Sequence, residues 1–79
     1  MPVAEKVNLA DARAELRVSQ DALAKEARLA KSVIIRAERG HAIQRSSAHA
    51  IVRALNHFRE QAEMPAFSFP DFDWKIHSR

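Results

Sequence analysis

A chain of 79 residues suits one domain with a single modest core, and its lone glycine leaves no glycine-rich loop of the kind that cradles a nucleotide. Cysteine is absent, which excludes disulfides and thiolate metal sites and suits a reducing compartment. The net charge of +3 is mild, and no apolar run approaches the roughly 18–20 residues of a membrane span.

Alanine, leucine, arginine, lysine and glutamate dominate, which predicts an all-α fold. Residues 1–7 read as a short flexible arm without the apolar core of a signal peptide, so a cytoplasmic location is expected. Asn8 is placed to cap a first helix, with Asp11 in its first turn and Leu9, Ala12, Ala14 and Leu16 as an apolar stripe. Ser19 caps a second helix that ends near Ala27 or Arg28. Its inward residues are Leu23, Ala24 and Ala27, and Val18 and Leu23 are spaced as a hydrophobic staple.

Lys31 to Arg39 forms a third helix. Val33, Ile34 and Ala37 make its core face, while Lys31, Ser32, Ile35, Arg36 and Arg39 fall on the other side. Gly40 is a left-handed stop. After a loop, Ser46 or Ser47 caps a fourth helix whose stripe is Ala48, Ile51, Val52, Leu55, Phe58 and Ala62, ending before Pro65. The domain thus spans 8–63, followed by an aromatic and acidic segment over 64–79. That segment holds three of the four phenylalanines and the only tryptophan, so it must pack on something. Ser68 can cap a short turn there.

Charge is distributed unevenly. Between Lys25 and Arg53 there are seven basic residues and two acids, whereas Glu60 to Asp73 holds four acids and no Lys or Arg. A basic middle and an acidic end imply one surface facing a polyanion and one turned elsewhere. Two short helices joined by a tight turn, the second outward-facing and basic, suit a helix that enters the major groove of DNA.

Over residues 9–55 the chain resembles the Cro/phage-repressor (XRE-like) helix-turn-helix family. The resemblance rests on Leu9, Arg13, Val18, Ser19, Gln20, Leu23, Ala24, Ala27, Leu29, Ile34, Glu38 and Gly40, with SQ, LA and ERG in register. IVRALN at 51–56 and SFPDFDW at 68–74 also resemble a bacterial subgroup with a longer fourth helix and a closing Asp-Trp segment. The resemblance implies a compact four- to five-helix lambda-repressor-like domain acting as a small bacterial or phage transcriptional regulator, a repressor by expectation.

It also implies that Ala30, Lys31, Ser32 and Arg36 meet base edges. The chemistry of the side chains agrees: Arg36 suits guanine in bidentate fashion, Lys31 is a further donor, and Ile35 can touch a thymine methyl. Gln20 resembles the family's phosphate anchor; Arg39, His41, Arg45, Ser46 and Ser47 are further candidate phosphate contacts. Arg13 and Glu38 are implied to form a structural ion pair between the first and third helices.

Three departures stand out. Arg17 and Arg28 occupy turn positions where the family prefers glycine, Ala30 replaces a Ser or Thr cap, and Ala37 is smaller than usual, leaving space for Ile43 to fill. His41, His49, His57 and His77 form no metal signature, and no cofactor or catalytic group is evident, so an enzyme is not expected. The expected partners are double-stranded DNA and a second copy of the chain. The dimer surface is expected at Leu55, Phe58, Phe67, Phe69, Phe72 and Trp74, unless the tail caps its own core. The alternative is a protein-interaction adaptor of antitoxin-like or anti-activator type, gripping a second protein with the same fold.

Overall fold

The computed structural model describes residues 6–77. Four helices follow one another, α1 (Leu9–Glu15), α2 (Gln20–Ala27), α3 (Lys31–Glu38) and α4 (Arg45–Gln61), and a 3₁₀ turn at Phe69–Asp71 sits in the tail. The described residues contain no multi-residue strand, so the fold is all-α. No helix among them is long and apolar enough to cross a membrane.

Local chemistry fixes the helix starts. The Asn8 side chain accepts from the Asp11 N–H and the Ser19 hydroxyl from the Ala22 N–H, each at 3.0 Å, and each satisfies one otherwise orphaned donor. α3 has no such help, because its cap is Ala30. α4 differs from expectation: Gln44, not Ser46 or Ser47, is its N-cap and makes no side-chain capping bond. Both serines lie inside the first turn, where their hydroxyls no longer cap.

All four helices end alike. Arg17, Arg28, Gly40 and Glu63 adopt left-handed backbone with φ of 58°, 60°, 78° and 58°. After each, an N–H closes back five residues: Val18 to Arg13, Leu29 to Ala24, His41 to Arg36 and Met64 to Arg59, at 3.2, 2.9, 2.9 and 2.8 Å. Only one of these four stops is a glycine, so three non-glycine residues bear the left-handed penalty of about 1 kcal/mol each. The turns therefore form at a cost in stability. Arg28 is exposed and is therefore free to change. Arg28→Gly is expected to add about 0.5–1 kcal/mol, and Ala30→Ser about 0.5–2 kcal/mol. A rise of the urea midpoint with unchanged slope would register both.

The core lies between α2, α3 and α4, with Leu23, Ile34, Ile51 and Leu55 fully buried. Ala24, Ala27, Ala48 and Ala54 are buried beside them, small enough to bring the helix backbones close. Ile43 is also buried in this core, and Ala37 packs half-buried against it. Two stripe positions depart from expectation: Ala14 is exposed on α1 and Ala62 is the exposed C-cap of α4, while Leu16, Val33, Ala37 and Phe58 pack half-buried against the core.

The tail folds back on its own domain. The Asn56 amide pairs with the Phe67 backbone in both directions, donating to the carbonyl at 2.9 Å and accepting from the N–H at 2.8 Å. Ser68 N–H donates to the Asp71 carboxylate at 2.7 Å, which tightens the 3₁₀ turn. Phe72 enters the core at 4% exposure, edge-on to Phe67, while Trp74 stacks with Phe69 and donates its indole N–H to the Phe69 carbonyl. Single parallel bridges join Phe72 to Val7 and Ile76 to Ile43.

These contacts bear on two expectations. Leu55 and Phe72 are interior, so neither lies on the expected dimer surface, while Phe58, Phe67, Phe69 and Trp74 stay half-buried at the edge of the core. At the end of the expected arm, the Lys6 ammonium donates to the Pro70 carbonyl and the Val7 N–H to the Asp71 carbonyl. The remainder of the expected arm, residues 1–5, lies outside the described residues.

Candidate nucleic-acid interface

The α2–turn–α3 unit is held by a polar node. Arg13 of α1 donates through Nε and Nη2 to the two Glu38 oxygens at 2.6 and 3.2 Å, and through Nη1 to the Val18 carbonyl at 3.0 Å. Gln20 of α2 adds its amide to Glu38 Oε1 at 2.9 Å. One carboxylate at the end of α3 thus binds α1 and the start of α2 together. The hydrogen bond to Glu38 raises the Arg13 pKa above the ordinary guanidinium value, with burial opposing it and the Glu38 charge adding to it. Arg13 therefore stays charged throughout the accessible pH range.

Gln20 stands at the start of α2 as anticipated, and its side-chain amide donates one hydrogen to Glu38, which braces α3. The second amide hydrogen is not used by that bond.

Along α3, Ala30, Lys31, Ser32 and Arg36 are exposed and share the outward side, with Ile35 half-buried at its margin. Lys31 reaches back to Asp21 at 3.4 Å, both side chains being half exposed or more. Such a solvent-facing pair is worth well under about 1 kcal/mol and yields readily to a stronger acceptor. Arg36 Nη2 donates to the Ala42 carbonyl at 3.0 Å, which orients the guanidinium along the helix end and leaves its other donors open. Neither partner was visible in spacing, since Asp21 and Ala42 lie across turns.

The remaining expected contacts collect where α3 gives way to α4. Arg39 is the exposed C-cap of α3, His41 is exposed after Gly40, and Arg45, Ser46 and Ser47 form the first turn of α4, with Ser47 half-buried. The Arg45 guanidinium lies 5.7 Å from the Phe69 ring centroid, and His49 one turn on stacks on the same ring at 4.1 Å. A shallow groove is lined there by Arg36, Gln44, Ser47 and His77 over Val33 and Ile43. His77 was not anticipated as part of this face, because no local pattern links it to residues thirty positions earlier.

Among the described residues, no group of three or more His, Asp or Glu is arranged to hold a metal ion. His57 instead faces Glu26 at 3.8 Å on the opposite stretch of α4. No family model matches this chain, and no curated protein or solved structure matches it either.

Proposed function

We propose that this protein is a small transcriptional regulator of the Cro/phage-repressor helix-turn-helix type, a repressor that binds a specific double-stranded DNA sequence with α3 in the major groove. The observation that carries the proposal is the exposed basic start of α3. Lys31, Ser32 and Arg36 stand outward on a helix braced from behind by Arg13, Gln20 and Glu38. A rigid helix bearing donors of this type is what base-edge readout requires.

Arg39, His41, Arg45 and Ser46, exposed along one side of the α3–α4 junction, are suited to phosphate contacts that fix register without reading sequence. One module of this size makes few contacts, so two copies on half-sites about one helical turn apart complete the proposal.

Binding of fluorescent genomic and random duplexes, followed by anisotropy over a salt series, tests it. Arg36→Ala is expected to weaken binding to the selected site by about 10- to 100-fold, corresponding to about 1–3 kcal/mol of base discrimination. It should leave non-specific affinity nearly unchanged. A wild-type chain without salt-dependent DNA binding at low ionic strength would sink the proposal.

A further inference from the structure

The tail does more than cover the core, because its last described residues arrive beside α3. The Ile43 N–H donates to the Lys75 carbonyl and the His77 N–H to the Ile43 carbonyl, both at 2.9 Å. This clips an extended segment to the α3–α4 loop. Ile76 packs against the core, and side chains alternate along an extended chain, so Lys75 and His77 face the other way, toward solvent. His77 shares its groove with Arg36, Gln44 and Ser47.

Of the acids of the tail, Asp71 is engaged with the Ser68 N–H, and Asp73 lines a separate concavity with Glu38 and Gly40 at the end of α3. The groove on the Arg36 side has no acid in its lining, and the exposed Lys75 is held next to it by the bond from the Ile43 N–H to its carbonyl.

We propose that the C-terminal segment is a third element of the DNA interface, with Lys75 and His77 contacting the phosphodiester backbone beside the groove edge that Arg36 enters. This rests on the DNA-binding reading above. The helix-turn-helix motif accounts for α2 and α3, and nothing in that motif requires a strand from the far end of the chain on the same side. The backbone clip at Ile43 holds the two contacts in place without using either side chain, which leaves both free for the ligand.

The test uses the full chain and a duplex selected by the wild type. Each phosphate neutralised contributes about 0.9 to the slope of log affinity against log salt. Lys75→Ala is expected to reduce that slope by about 0.9, and Lys75→Gln, which keeps the stem, by the same amount. His77→Ala is expected to weaken binding about two- to tenfold. All three should leave the preference for the selected site over random DNA unchanged, because phosphate contacts position and do not specify. Their thermal midpoints should match the wild type.

If Lys75→Gln and His77→Ala bind with wild-type slope and affinity, the tail is not part of the interface, while the proposed function stands. If the wild type itself shows no salt-dependent binding, both fall together.

Discussion

Arg13→Ala is expected to lower the unfolding free energy by about 3–5 kcal/mol, the range for removing one partner of a buried ion pair. Its side chain is 21% exposed and that of Glu38 only 9%, so the abandoned carboxylate cannot simply return to water. It would keep one bond, from Gln20, and the Val18 carbonyl would lose its donor as well. Small domains have about 5–15 kcal/mol in all, and this one already carries three left-handed non-glycine residues. A large unfolded fraction at physiological temperature is the anticipated result.

The paired replacement Arg13→Met with Glu38→Leu should recover most of the loss, because it removes both charges and leaves neither stranded. Urea titration followed by helical circular dichroism measures each variant. A single-variant loss below about 1 kcal/mol would mean that the pair behaves like a solvated one. The pH dependence follows from sign. Arg13 has a raised pKa, so its contribution is fully present at lower pH and fades only in strongly alkaline solution. The cost of Arg13→Ala should therefore be constant from mildly acidic to mildly alkaline conditions.

The helices were legible because their signals are local. Asn8 and Ser19 cap where their side-chain oxygens can reach an N–H three residues on, and the spacing of Ala48, Ile51, Val52 and Leu55 marks one face of a long helix. Arg28 closes the turn after α2 in the left-handed region without a glycine, since about 1 kcal/mol of backbone strain is small beside the burial of Leu23 and Ile34.

What was not legible is long-range. The bridges of Val7 to Phe72 and of Ile43 to Ile76 are made by backbone groups, and a single bridge leaves no alternating pattern to find. Aromatic residues in the tail announced burial but not its partner, and the clamp from Asn56 decides for the same chain. For the candidate site, exposure along α3 could be read from its period, whereas the commitment of Gln20 to Glu38 depends on how α1, α2 and α3 meet.

Arg59 shows a signal that was present and easily misjudged. It lies four residues after Leu55, so the apolar face of α4 runs straight into it, yet an arginine there reads as a surface charge. Its exposure is 6%, the only charged residue among the described ones to be buried. Its Nε donates to the Pro65 carbonyl, its Nη1 meets Glu15 of α1 at 3.2 Å, and the guanidinium lies 4.0 Å from the Phe67 ring centroid. One side chain thus joins α1, α4 and the beginning of the tail.

The Glu15 contact contributes little, because that carboxylate is 56% exposed and rehydrates freely. Two other losses weigh more: the orphaned Pro65 carbonyl, about 1–3 kcal/mol, and the missing stacking on Phe67, about 0.5–2 kcal/mol. A cavity left by the aliphatic stem adds to them. Arg59→Ala is therefore expected to cost about 3 kcal/mol or more. Arg59→Met, which fills the stem volume, should cost roughly half as much.

Trp74 gives an independent readout, being the only tryptophan and partly buried through its contacts with Phe69 and Phe72. With Arg59 gone, its emission should shift to the red at urea concentrations where the helical signal is still intact, because the tail detaches before the helices melt. Coincident transitions at both probes would show instead that the tail and helices remain one cooperative unit without Arg59. The clamp at Asn56 and the bridges at Val7 and Ile43 would then suffice to hold the segment, and the predicted role of Arg59 in mooring it would be refuted.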